Sequence, residues 1–183
     1  MMRHAIKTVI RVETLEMFDR YAPDLLRVMR MFGDRWGERP GQHVSVSLQN
    51  LRMSLPYLWL ALTEEGGFAG AATLTDIVPG RHVYIHGVID PGQRKHLAID
   101  ATIREVMRFA FEELHVLKVK AECLPAHWGA RGFCRRFGFL RAATLPDDRM
   151  TQEGLSDVLL YALTKPQWLK NIQTGGINYV DGQ

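Results

Sequence analysis

A mixed α/β fold, a mostly antiparallel sheet flanked by helices, is what this chain predicts. Three observations predict it. The middle of the chain holds three β-like runs, "YLWLALTE", "FAGAATLTDI" and "HVYIHGVID". A helical stripe follows at Ile99, Ile103, Val106, Met107, Ala110 and Leu114. Beyond it the order is strand, helix, strand. The connections "EGG" and "VPGR" are too short for a crossover, so the three runs form an antiparallel meander, whereas the back half alternates strand with helix.

Each element has a local reason. "IKTVIRV", residues 6–12, alternates as an opening strand, and Thr14 stands where it can cap the helix that follows. Pro23 interrupts that helix, and Leu25, Leu26, Val28, Met29 and Phe32 resume helical spacing with proline in the favoured first turn. Two helical pieces are therefore expected to meet near Ala22. "GDRWGERPGQH" reads as a loop, with a short helix over "SLQNLRM". After the stripe, "VLKVKAECL" alternates as a strand. A second helix, Ala126 to Phe137, is expected to bury Ala130, Phe133, Cys134 and Phe137 and to stop at Gly138. "SDVLLYALTK" closes the sheet, and "TGGINYVDGQ" is polar and glycine-containing. The division expected is one domain over residues 1–170 and a flexible tail over 171–183.

Composition narrows the function classes. With 183 residues, 46% of them hydrophobic, the chain can bury one substantial core. Its net charge of +3 suits anionic ligands, yet the 23 basic residues form no run and no aromatics interleave with them, which disfavours nucleic acid. Two cysteines, Cys123 and Cys134, make neither a disulfide framework nor a zinc site, so no metal and a reducing, cytoplasmic setting are expected. The longest apolar stretch, "LPYLWLAL", falls far short of the roughly 20 residues that span a bilayer.

From about Tyr57 to Lys165 the chain resembles the GNAT acetyltransferase superfamily, in particular its ribosomal-protein N-terminal acetyltransferase branch. The residues that carry the resemblance are "VIDPGQRKHLAIDATIREVMRFAFEEL", "VKAECLPAHWGARGFCRRFGFLRAA" and "DVLLYALT". It implies a mixed central sheet with a splayed parallel strand pair. It also implies acetyl-CoA, or another acyl-CoA, as cosubstrate. In that family a strand ends in Gln/Arg-x-x-Gly-x-Gly/Ala, whose backbone N–H groups hold the pyrophosphate at a helix N-terminus, where unpaired donors and the helix dipole favour an anion. Gln93 and Ala98 match this pattern, Arg94 and Lys95 keep it basic, and Leu97 supplies a further N–H, but His96 replaces the first glycine. Glycine serves there because the backbone approaches phosphate with no side chain between. Val88 and its neighbours would pair with the pantetheine amides like an added strand.

The next helix departs from the family once more. Ala130 and the Gly138-Phe139 end match, while His127 stands at a family asparagine that hydrogen-bonds near the pantetheine arm. Arg131 is placed either to reach the adenosine-end phosphates or to lie on a solvated helix face.

Transfer to an amine needs a base for the amine proton and an acid for the departing thiolate. His82, Tyr84 and His86 share one face of their strand by period two, and histidine titrates near working pH. By the resemblance His82 aligns with the position of the family's basic carboxylate. His82 and His86 are the base candidates, the other reading being rings that pack. Cys134 falls where some relatives carry a tyrosine acid, and its other reading is a small core residue. Tyr161 and Glu64 are weaker polar candidates.

The function implied is acyl-CoA-dependent N-acyltransfer, acetyl to a primary amine of a small molecule or peptide, with a homodimer compatible. The alternative is a catalytically weak member that binds a CoA-like ligand or a partner. Residues 13–56 carry no interpretable acceptor signal.

Overall fold

The structure is a computed structural model, and it describes residues 9–31, 44–93, 97–151 and 153–173. The expectations for Arg94, Lys95, His96 and the loop "GDRWGERPGQH" lie outside the described residues; of the tail expected over 171–183, residues 171–173 are helical instead, and 174–183 lie outside the described residues. Seven strands hydrogen-bond in the order β1-β2-β3-β4-β5-β7-β6. Their pairing is mostly antiparallel, with one parallel pair, β4 with β5. The chain's contacts gather in two compact units, described in turn.

The first unit holds, among the described residues, 9–31, 44–75, 85–93 and 97–109. Its strands are β1 (Val9–Val12), β2 (Leu58–Leu62), most of β3 (Phe68–Val78) and the end of β4 (His82–Ile89). β2 lies between β1 and β3, and all five of its residues are buried. Truncating one, as in Leu60→Ala, would cost about 2–5 kcal/mol by lost burial and cavity formation. The Arg11 guanidinium stacks 4.3 Å from the Phe109 ring centre while its Nε donates to the Pro56 carbonyl at 2.9 Å. Trp59 meets Phe109 edge-on at 5.2 Å.

The helices of this unit are α1 (Leu15–Met31), α2 (Val44–Met53) and α3 (Leu97–Arg108). Thr14 caps α1 as expected, its Oγ1 accepting the Met17 N–H at 3.2 Å. The expected break near Ala22 does not occur. α1 runs through Pro23 because the buried stripe of Phe18, Leu25, Val28 and Met29 keeps one helical phase across it, which outweighs the one backbone bond that proline removes. α3 packs on β1 and β2 and buries Ile99, Ile103, Val106 and Met107, as the spacing predicts. It then widens into a π turn over Phe109–Glu113, which leaves Leu114 only half-buried.

The second unit holds, among the described residues, 76–84, 110–151 and 153–173. Here the start of β4 pairs in parallel with β5 (Lys118–Cys123), His82 opposite Lys118 and Tyr84 opposite Lys120. β7 (Gly154–Thr164) lies antiparallel to β5 on one side and to β6 (Leu140–Thr151) on the other. α4 (Trp128–Arg136) packs on β5, and α5 (Lys165–Gln173) on β7. β6 and α5 are additions to the sequence reading. β6 carries Pro146, Asp147 and Asp148, residue types that disfavour a strand. They occupy an irregularity in the β6–β7 register, where Asp147 takes a φ of +49° and donates its N–H to Asp157 Oδ1.

α4 ends as the sequence predicts. Gly138, at φ +77°, donates its N–H to the Arg135 carbonyl, and Phe139 donates to the Cys134 carbonyl, a Schellman arrangement. The burial is narrower than expected: Cys134 and Phe137 are buried, while Ala130 and Phe133 are half-buried.

Candidate active site

In the first unit the chain leaves β4 at Asp90 and enters a 3-10 turn, Pro91–Gln93; α3 begins at Leu97. Asp90 organises this turn. Its N–H donates to the Ala69 carbonyl at 3.0 Å, and its own carbonyl accepts the Gln93 N–H at 2.8 Å. Its Oδ1 accepts the Gly92 N–H at 2.9 Å, and its Oδ2 accepts Arg27 Nη2 of α1 at 2.7 Å. Burial pushes this carboxyl up, but hydrogen bonds from Arg27 and from the Gly92 backbone outweigh it and hold Asp90 below the ordinary carboxylate range. The Gln93 amide is thus committed within the turn.

α3 is aimed by small residues. Ala98 and Ile99, in its first turn, pack with Ala61, Ala69 and the partly buried Ile89. Leu97 at the helix start is exposed, and the positive end of the α3 dipole lies there. Val88 is buried on β4, and its carbonyl approaches Gly70 of β3 so closely that a Cβ on Gly70 would stand 2.8 Å from it. On the same strand His86 is half-buried, with Nε2 2.9 Å from Thr75 Oγ1.

In the second unit His82 opens β4, half-buried, its ring perpendicular to that of Tyr84 at 6.2 Å. Lys120 from β5 places its ammonium 5.0 Å from the Tyr84 ring centre. Desolvation and then the cations Lys120, Arg81 and Lys118 push His82 below the usual histidine range, so its imidazole is neutral near pH 7. Burial, helped by Glu122 and Asp76, raises Tyr84. Glu122 itself is paired with Arg149 at 2.9 Å.

The α4 residues are placed as follows. His127 is the N-cap and makes no side-chain capping bond. Arg131 donates from Nη1 to the Pro125 carbonyl at 3.0 Å and lies 4.5 Å from the Trp128 ring centre, so it is tied to its own helix start. Cys134 is 2% exposed and hydrogen-bonded to Cys123, which with burial raises its thiol well above the ordinary range. Tyr161 is buried on β7, and Glu64 is exposed in the turn after β2.

Solved structures share this fold. RimJ of Mycobacterium smegmatis, in complex with CoA-disulfide, superposes with a TM-score of 0.70 at 15% identity, over 91% of this chain and 88% of that one. A variant of spermidine N-acetyltransferase SpeG from Vibrio cholerae gives 0.70 at 14% identity, over 90% and 97%. Ribosomal-protein-S5-alanine acetyltransferase from Vibrio fischeri gives 0.65 at 10% identity, over 87% and 93%. This chain has the GNAT fold. No family model and no curated protein sequence matches it.

Within the GNAT fold the sequence reading located β4, the turn after it, α3 and α4, and so the candidate residues on them. It missed Asp90 and its partner Arg27, which stand 63 positions apart. It missed the Glu122–Arg149 pair too. The one local signal was for Asp90: an aspartate two residues before a glycine favours an Asx turn.

Proposed function

We propose that this protein is an acyl-CoA-dependent N-acyltransferase, built as a single acyl-CoA-binding domain and moving an acetyl group to a primary amine of a small molecule or peptide. The observation that carries the reading is the turn Pro91–Gln93 after β4 and the start of α3 at the exposed Leu97, on a fold shared with a CoA-bound acetyltransferase. Pyrophosphate is an anion, and the first turn of α3, which opens at Leu97, turns the positive end of the helix dipole toward it. Arg94 and Lys95 add charge by sequence, and His96 stands in for the family glycine. The Gln93 side chain, at the end of the 3-10 turn, and the β4 backbone around Val88 take the phosphate-proximal and pantetheine parts. His127 and Arg131 are further contacts by resemblance, Arg131 at the expense of its bond to Pro125.

In the reaction the amine nitrogen bonds to the thioester carbonyl carbon, the carbon–sulfur bond breaks, the amine loses a proton and the thiolate gains one. A base must be unprotonated to act, and a histidine with a lowered pKa is in that form at neutral pH. His82 is therefore assigned as base, and His86, engaged with Thr75, as its neighbour on the strand. Cys134, buried and with its pKa raised, is a weak acid; it fits the core, and the thiolate takes its proton from solvent. A panel of primary amines and N-terminal peptides incubated with acetyl-CoA, followed by mass spectrometry of each acceptor, tests the reading. Acetylated acceptor is expected; CoA binding without any acetylated amine would favour a binding module instead.

A further inference from the structure

We propose that Arg27 governs CoA affinity without touching CoA, by cancelling the charge of Asp90 beside the helix N-terminus that receives the phosphates. The inference rests on the acyl-CoA reading above. Asp90 serves the turn through oxygen atoms, not through charge. Its Oδ1 accepts from Gly92 and its carbonyl from Gln93, which shapes the turn Pro91–Gln93. The carboxylate that does this is a liability at such a place. The preceding residue, Ile89, packs with Ala98 and Ile99 in the first turn of α3. A negative charge close to that turn opposes a polyanion there, and the opposition is stronger because the Asp90 side chain is only 14% exposed and weakly screened by water.

Arg27 answers this liability from another element. It reaches from α1 to Asp90 Oδ2 at 2.7 Å, while its contact with Asp24 on its own helix is longer, 3.5 Å. Its side chain is half-exposed, so burial does not demand the pair on the arginine side. The carboxylate is the partner that needs it. An asparagine at 90 would keep an oxygen for Gly92 and drop the charge, and that separates the two tasks.

The test is a double-mutant cycle read by calorimetric titration with CoA at low salt, on wild type, Arg27→Ala, Asp90→Asn and the double variant. Arg27→Ala is expected to weaken CoA roughly five- to tenfold, an effect that fades as salt is added. Asp90→Asn should bind as wild type or a few-fold tighter, and the double variant should return to within about twofold of Asp90→Asn. Arg27→Gln, which can still donate to Asp90, keeps the test informative if the alanine variant is poorly folded, and the same loss is expected of it. A double variant as weak as Arg27→Ala would overturn the inference, because Arg27 would then act by direct contact or through the fold. So would a flat cycle. Wild type that fails to bind CoA would overturn the acyl-CoA reading and this inference together, whereas a flat cycle on a CoA-binding wild type overturns this inference alone.

Discussion

His86 Nε2 lies 2.9 Å from Thr75 Oγ1, joining β4 to β3 through side chains. A ring with a nitrogen engaged in this way is poorly placed to collect a proton from an incoming amine. His82, perpendicular to Tyr84 and held neutral, is better suited. His82→Asn is expected to lower kcat about 10²-fold with CoA affinity unchanged. Thr75→Val should leave kcat within about twofold and lower thermal stability. Steady-state kinetics beside CoA calorimetry measure both, and the opposite ranking would move the base to His86.

The pH profile carries a sign. His82 sits below the usual histidine range through desolvation first and Lys120 second, and only its neutral form accepts a proton. Activity should therefore rise with pH, with the midpoint of its acidic limb below about pH 6.5, the ordinary histidine value. Lys120→Gln removes one of the charges that lowers the pKa, so the acidic limb of kcat/KM should move to higher pH. An unmoved limb, or one displaced to lower pH, counts against His82 as the titrating group.

Leu97 opens α3, a position where proline is sterically at home yet brings no N–H. Leu97→Pro should keep the melting temperature close to wild type and weaken CoA about tenfold. Unchanged CoA titrations in a folded variant would remove the helix start from the phosphate site.

Much of the fold is legible in the sequence because it follows from periodicity. β4 alternates, β2 and β3 are apolar runs bounded by short turns, α3 repeats at three and four, and Gly138 marks the end of α4 with a φ that favours glycine. What escapes is what two distant segments decide jointly. Pro23 looks like a break until the core that Phe18 and Leu25 share is known. Pro146 looks like loop until β7 is seen to pair around it. The site follows the same division. Gln93, Ala98, His82 and His86 are candidates reached from spacing and resemblance, whereas the Arg27–Asp90 pair exists only because α1 is folded onto the turn.

Gly138 gives a stability test of that local legibility. Its φ of +77° strains any side chain, and a Cβ there would collide with Asn171 of α5. Gly138→Ala is expected to cost about 1–3 kcal/mol, measured by urea unfolding. A smaller loss than from a substitution at exposed Leu169 would contradict the assigned cap.

Acyl transfer is measured most directly as the release of free thiol from acetyl-CoA against acceptor concentration. The account predicts release that saturates with a primary amine or N-terminal peptide, matches the acetylated product one for one, and falls with His82→Asn. CoA bound tightly by the wild-type protein, with thiol release no faster with any amine than without one, would contradict it.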